Sequence, residues 1–173
     1  MKVLALCGSL RAASMNAALL RASARLAPAQ VSLEIFPGIG ALPLFNPDLE
    51  AAMPAAVRQL HDSISACDAL LIASPEYAHG VTAVLKNSLD WLVSFEGFVG
   101  KPVAIFNASP RSVHADAALR EILTTMSANL IAEACLALPL RGTGITEQGI
   151  VESVHAMAIR DALGKLLQGT SRT

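Results

Sequence analysis

The sequence contains few charged residues and few aromatic ones. Of its 173 residues, 16% are charged and 4% are aromatic, with one tyrosine and one tryptophan, and the formal net charge is -1 at pH 7. Globular domains usually have about 25% charged residues, so a chain kept unfolded by its own charge is excluded. Lysine and arginine are scattered along the chain, which argues against a dedicated nucleic-acid surface. We expect a small-molecule partner.

Cysteines and long apolar runs are also scarce. Cys7, Cys67 and Cys135 are widely spaced, with no CxxC pair. We therefore predict neither a disulfide framework nor a zinc site, and interpret all three as small buried hydrophobes. No apolar run reaches the ~18 residues of a membrane span. The first residues lack the longer hydrophobic region of a secretory signal, so no membrane association and a cytoplasmic location are expected.

Several common catalytic and nucleotide-binding motifs are missing. There is no GxGxxG, which excludes the usual dinucleotide fingerprint, and no GK[ST], which argues against a nucleoside triphosphate P-loop. A Cys-x5-Arg phosphatase loop starting at Cys7 would need arginine where Ala13 stands. No GxSxG elbow and no histidine pair at i, i+4 with a carboxylate occur, so a serine hydrolase and a metal site lack support.

Short apolar runs alternate with segments of helical spacing, as in parallel βαβ units. The strands are predicted at Lys2–Cys7, Val31–Phe36, Ala69–Ser74, Pro102–Ala108 and roughly Leu130–Leu136. Helical stripes are formed by Val57, Leu60, Ile64 and Cys67, by Leu119, Ile122, Leu123 and Met126, and by Ile159, Leu163 and Leu166. The pattern predicts an α/β fold with a doubly wound, five-stranded parallel sheet and a single domain over residues 1–173.

The loop after the first strand has the composition of an anion site. Ligands of open parallel sheets bind beyond the carboxyl ends of the strands. There, Gly8 permits a tight exit, Ser9 and Ser14 offer hydroxyls, and Arg11 offers a planar charged fork before a helix N-terminus. These groups match a terminal phosphate best. The alternative is that Ser14 only caps the helix and Arg11 is a solvated loop charge.

The loops after the third and fourth strands complete the same crevice. The segment 74–80 carries Tyr77, where a flat ring system can stack or accept hydrogen bonds from loop amides. The segment 107–112 adds hydroxyls and Arg111. For the first of these loops, a proline-initiated turn with Tyr77 packing locally remains an alternative.

Four strings in order carry a resemblance to a known family. GSLRAASMN, LPLFNPDLE, SPEYAHGVTAVLKNSLDWL and GKPVAIFNASP resemble the NADPH-dependent FMN reductases of flavodoxin-like fold, which include quinone, azo-dye and chromate reductases. The resemblance covers about residues 1–130 and implies the strand order 2-1-3-4-5 with bound FMN. It implies that the phosphate and ribityl chain are surrounded by Ser9, Arg11, Ser14, Met15 and Asn16, that the isoalloxazine contacts Pro75, Glu76 and Tyr77, and that Ser109 closes the far side.

The resemblance implies an FMN-dependent oxidoreductase that uses NADPH or NADH and passes electrons to a small acceptor: a quinone, flavin, azo compound or chromate. The alternatives are a flavin-binding electron carrier or redox sensor without NAD(P)H turnover, and a protein that binds another phosphate ligand. Two features depart from the family. Ala78 replaces its usual asparagine, and Pro110, Arg111 and Ser112 replace a glycine-rich turn. His79 and His114 are further candidates for ligand contact.

A homodimer or a dimer of dimers is expected. The loop Ala41–Glu50 is long for a βα connection and carries Leu42, Leu44 and Phe45, which we predict to be exposed. The helix that bears Trp91 is a second predicted apolar patch.

Overall fold

Strands and helices alternate along the chain as the apolar pattern predicts. The computed structural model describes residues 1–140 and 145–170. The strands are β1 (Lys2–Cys7), β2 (Ser32–Ile35), β3 (Ala69–Ala73), β4 (Glu76–Tyr77), β5 (Gly80–Val81), β6 (Pro102–Asn107), β7 (Asn129–Leu130) and β8 (Leu136–Ala137). The helices are α1 (Met15–Leu26), α2 (Ala55–Ala66), α3 (Ala83–Asp90), α4 (Val113–Thr125), α5 (Glu147–Val151) and α6 (Ala156–Thr170).

The central sheet is parallel and has the order β2-β1-β3-β6-β7. With β6 as the fourth strand and β7 as the fifth, the predicted order 2-1-3-4-5 is confirmed. A short antiparallel hairpin, β4 with β5, lies outside this sheet and was not predicted. It follows β3 directly, so it stands at the carboxyl edge of the sheet.

The fifth strand departs from the prediction of one continuous run over Leu130–Leu136. It is divided into β7 and β8, which pair with opposite ends of β6, and the 3-10 turn Ala132–Ala134 separates them. At the break, the backbone N–H of Ile105 in β6 donates to the thiol sulfur of Cys135 at 3.4 Å. A side chain thus replaces a ladder carbonyl there, and Cys135 is only half-buried, unlike the buried Cys7 and Cys67.

Alternate residues of the sheet face two separate apolar clusters. Leu71 of β3 packs in one cluster with Leu19 of α1 and Leu163 of α6. Its neighbour Ile72 packs in the other cluster with Leu60 of α2. Because successive side chains of a strand point to opposite faces, helices cover both sides of the sheet. None of the helices in the described ranges is long and apolar enough to cross a membrane.

The loop after β2 is less exposed than its sequence predicts. Leu42 is buried, Phe45 is half-buried, and Trp91 is buried at 2% exposure, so the predicted patch on the helix of Trp91 is wrong. The indole Nε1 of Trp91 donates to the carbonyl of Pro43 at 2.8 Å, and its ring meets the ring of Phe45 edge to face at 5.1 Å. These contacts fold the loop onto α3 and leave Leu44 outside, 84% exposed.

Candidate functional site

The exits of β1 and β3 lie close together at Gly8. Its N–H donates to the carbonyl of Ala73 at 2.9 Å. A Cβ at this position would stand 2.1 Å from Oγ and 2.6 Å from Cβ of Ser74, and 3.0 Å from Oγ1 of Thr82. Only glycine fits without displacing these groups, and this close approach brings the first and third ligand-side loops together.

The first loop ends in a capped helix. Ser14 is the N-cap of α1, and its Oγ accepts from the N–H of Ala17 at 3.3 Å. Ser9 Oγ accepts from the N–H of Arg11 at 3.4 Å. The capping role foreseen for Ser14 is therefore present, and its hydroxyl hydrogen can still donate. The N–H groups of Met15 and Asn16 begin the helix and have no carbonyl in a preceding helical turn to bind.

Asn16 carries the strongest local signal of a ligand. The residue is 6% exposed, and its Oδ1 has no hydrogen-bond partner in the part of the chain that the structure describes. Buried polar atoms are almost always paired, so an unpaired one at a helix N-terminus calls for a group from outside the chain. Arg11, five residues earlier in the sequence, is exposed. It forms no ion pair with any described residue.

The loop after β3 is a tight hairpin. Pro75 leads into β4, where Tyr77 is 59% exposed and pairs with Gly80 of β5. The turn residues Ala78 and His79 have φ angles of 48° and 59°, in the left-handed region. The exposed Tyr77 ring stands at the carboxyl edge of the sheet, where the sequence predicts a ring system.

Two side chains of the hairpin segment reach the first turn of α4. The Oε2 of Glu76 accepts from the N–H of Ala115 at 2.9 Å. The ring of His79 stacks on the ring of His114, with centroids 4.2 Å apart and an interplanar angle of 25°. The resemblance implied that Glu76 contacts the isoalloxazine, and this stays a prediction, while the structure shows its side-chain carboxylate hydrogen-bonded to the helix.

The loop after β6 is organised by Asn107, a residue whose role the sequence reasoning missed. Its Oδ1 accepts from the N–H of Ser109 at 2.9 Å, and its Nδ2 donates to the carbonyl of Ser112 at 3.3 Å. An asparagine at the end of a strand, followed here by Ala-Ser-Pro, is a signal of an Asx turn that could have found it. Ser109 is half-buried within this turn.

The nine predicted site residues therefore occur on three neighbouring segments: the β1–α1 loop with the first turn of α1, the β3–β5 segment, and the β6–α4 loop. They follow strands that are adjacent in the sheet, β1, β3 and β6. This is the crevice in which open parallel sheets bind ligands. In the ranges that the structure describes, no group of three metal-ligating side chains could hold an ion.

Comparison with known proteins shows the family of this chain. Residues 1–141 match the family model described as NADPH-dependent FMN reductase. The chain belongs to the NADPH-dependent FMN reductase family. It is 43% identical over 111 residues to an NAD(P)H-dependent FMN reductase of Pseudomonas aeruginosa, an alignment that covers 62% of this chain and 60% of that protein. It is 36% identical over 113 residues to a quinone reductase of Escherichia coli, covering 63% and 60%.

A solved structure extends the likeness over nearly the whole chain. The flavoenzyme NAD(P)H:(acceptor) oxidoreductase from Paracoccus denitrificans superposes with a TM-score of 0.74 at 25% identity, and the match covers 98% of this chain and 95% of that one. The curated relatives are matched over about 60% of their own length. FMN and NADPH are the flavin and the electron donor that the family's description names.

Proposed function

We propose that this chain is an FMN-dependent oxidoreductase that takes electrons from NAD(P)H and passes them to a small acceptor. The observation that carries the proposal is the buried Oδ1 of Asn16 at the N-terminus of α1, which has no hydrogen-bond partner among the residues that the structure describes. FMN fits this position because its ribityl hydroxyls can donate to that oxygen, while its phosphate suits the helix N-terminus and the exposed Arg11. When bound, FMN supplies the hydride and electron chemistry.

The chain's own residues bind and orient the cofactor. The phosphate end is held by Arg11, by the hydroxyls of Ser9 and Ser14, and by the amides of Met15 and Asn16. The segment from Pro75 to Tyr77 borders the ring, and Ser109, held by Asn107, closes the opposite side. No side-chain acid or base is required for the reaction, since protein groups that border a flavin act by positioning and tuning it.

A quinone is the acceptor class we favour, because the Escherichia coli relative is named quinone reductase. Flavins, azo compounds and chromate are also candidates, because acceptor discrimination depends on the shape of the pocket above the ring. We further propose that residues 1–173 form one domain, since both apolar clusters share one sheet, and that the protein is cytoplasmic.

We also propose a homodimer or a dimer of dimers. Leu44 is 84% exposed between Leu42 and Phe45, which pack against the core, and Val93 and Val99 are also exposed. A second copy can cover these side chains. Light scattering at micromolar concentration should give at least twice the chain mass of 18.0 kDa, and a monomeric mass contradicts the proposal.

The test of the function is spectroscopic. The purified full chain should carry flavin absorbance or acquire it on addition of FMN, and anaerobic NADPH should bleach that absorbance within seconds. A quinone added to the bleached protein should restore the colour. Protein that binds FMN but does not bleach with NADPH is an electron carrier or sensor, whereas protein without FMN affinity contradicts the proposal. Competition with AMP tests for a site built for another phosphate ligand.

A further inference from the structure

The turn of the β4–β5 hairpin has a conformation that its own residues disfavour. Ala78 and His79 are consecutive residues with positive φ, at 48° and 59°. A two-residue hairpin turn of this kind favours asparagine and glycine, because the Cβ of an L residue is crowded in the left-handed region. Contacts outside the hairpin must therefore offset the strain, and they determine where the hairpin lies.

Glu76 provides one such contact, to the N-terminus of α4. The first N–H groups of a helix have no intrahelical partner, and the N-cap Ser112 makes no side-chain hydrogen bond to them. The Glu76 carboxylate supplies the missing acceptor to Ala115 from 39 residues away, at 2.9 Å. Its negative charge also lies at the positive end of the helix dipole, which strengthens the contact.

The His79–His114 stack is the second contact. His79 belongs to the strained turn itself, and His114 lies in the same helical turn of α4 as Ala115. The ring centroids are 4.2 Å apart. The two contacts therefore attach both the base and the tip of the hairpin to one short stretch of helix. Tyr77 lies between these attachment points.

We propose that Glu76 and the His79–His114 pair are positioning residues: they dock the hairpin on α4 and so hold Tyr77 and its neighbouring backbone against the flavin ring. The proposal rests on the proposed function, because it takes the ligand of the crevice to be a flavin. In this proposal the side chain of Glu76 binds α4 and not the flavin ring. The position of the ring site therefore depends on α4.

The experiment compares FMN with riboflavin, which has the same ring and no phosphate. Each flavin is titrated into the flavin-free full chain, and binding is followed by fluorescence quenching. The proteins compared are the wild type, Glu76→Ala, Glu76→Gln and His114→Ala. Glu76→Ala should lower the affinity for both flavins equally, by about tenfold, because a charge-assisted hydrogen bond is lost. The two losses should be equal because the hairpin borders the ring, which both flavins have. Glu76→Gln retains an oxygen acceptor and should recover most of the affinity. His114→Ala should weaken both by a smaller equal factor.

A rescue separates positioning from a general loss of stability. Ala78→Gly relieves the strain in the turn, since glycine adopts positive φ readily. It should change flavin affinity little in the wild type and restore a large part of the affinity in Glu76→Ala. The matched control is Glu121→Ala, which removes an exposed carboxylate from the same helix and should leave both affinities unchanged.

The outcomes decide between the two proposals. A wild-type chain that binds neither flavin contradicts the proposed function, and the positioning role with it. If the wild type binds flavin, the positioning role alone is overturned by unchanged affinities in Glu76→Ala, by a loss confined to FMN, or by a failed rescue. If Glu76→Ala does not fold, Glu76→Gln and His114→Ala decide the question: the first should bind nearly as the wild type does, and the second should weaken FMN and riboflavin equally.

Discussion

The backbone N–H of Phe45 donates a 2.8 Å hydrogen bond to Oδ1 of Asn87, a residue 42 positions further along the chain. The Nδ2 of the same amide donates to the carbonyl of Pro43 at 3.0 Å. One side chain thus pairs a donor and an acceptor of the loop after β2 with helix α3. The string LPLFNPDLE and the segment containing KNSLDWL are therefore in contact, and the second holds the first in place.

Asn87→Ala should destabilise the chain by about 1–3 kcal/mol, because the N–H of Phe45 loses its acceptor at a half-buried position. Urea unfolding of the flavin-free protein measures the change. Asn46→Ala is the matched control. Asn46 caps an exposed 3-10 turn at Asp48, so its loss should cost about 0.5–1 kcal/mol. Equal losses of unfolding free energy in the two variants would show that the Asn87 contacts stabilise the fold no more than an exposed cap does.

Gly8 and Gly164 should respond to alanine in opposite directions. Gly8→Ala places a Cβ 2.1 Å from Ser74 Oγ and 2.6 Å from Ser74 Cβ, so rotation of the serine cannot relieve the clash. We expect a loss of about 2 kcal/mol or more and weaker FMN binding. Gly164 lies within α6 with nothing within 4 Å of its added Cβ. Gly164→Ala should therefore raise stability by about 0.5–1 kcal/mol, as thermal unfolding can measure.

The strands of the sheet were predictable because their signal is local. The runs before Gly8 and before Asn107 are apolar and short, and the observed β1, β3 and β6 end within one residue of the predicted limits. The division of the fifth strand was not predictable in this way. It depends on a thiol of Cys135 meeting the N–H of Ile105, a contact between residues 30 positions apart.

The same distinction applies to the site. Spacing and residue type indicated Ser14 as a cap and the three loops as neighbours, since strand exits of a parallel sheet share one edge. The attachment of Glu76 to Ala115 joins segments 39 residues apart, and no periodicity reports such a pairing. The burial of Leu42 and Trp91 was mispredicted for the same reason, because it follows from the fit of one loop on α3.

Stability should fall at alkaline pH because of the buried cysteines. Burial raises the pKa of the Cys7 thiol and of the Cys67 thiol above their ordinary values. The unfolded chain then loses these protons at a lower pH than the folded chain, so the free energy of unfolding declines as pH rises above about 8.5. Unfolding measured at about pH 7 and pH 9.5 should show the decline, and a Cys7→Ala/Cys67→Ala double variant should lose part of it.

Thiol labelling gives a direct check of the same burial. Cys135 is half-buried, whereas Cys7 and Cys67 are buried. A thiol reagent should therefore modify Cys135 first in the folded protein and reach the other two only on unfolding. Rapid modification of all three under native conditions would contradict the predicted order.

Replacing Arg11 should lower the affinity for FMN and leave the affinity for riboflavin unchanged. If the exposed guanidinium binds the phosphate, Arg11→Ala removes a charge-assisted hydrogen bond worth about 1.5–3 kcal/mol, which weakens FMN by roughly tenfold to hundredfold. Riboflavin has no phosphate, so its affinity should stay the same, and ligand-free melting should shift little because Arg11 forms no ion pair in the described part of the chain.

Arg111→Ala is the matched control for this experiment, since it removes an exposed arginine from the loop after β6 and should alter the FMN-to-riboflavin ratio less. Titrating both flavins into wild type and both variants separates the alternatives. No change for either flavin in Arg11→Ala would make Arg11 a solvated surface charge. Equal losses for both flavins would place Arg11 against the ring or in the support of the fold, and the phosphate assignment would then have to be abandoned.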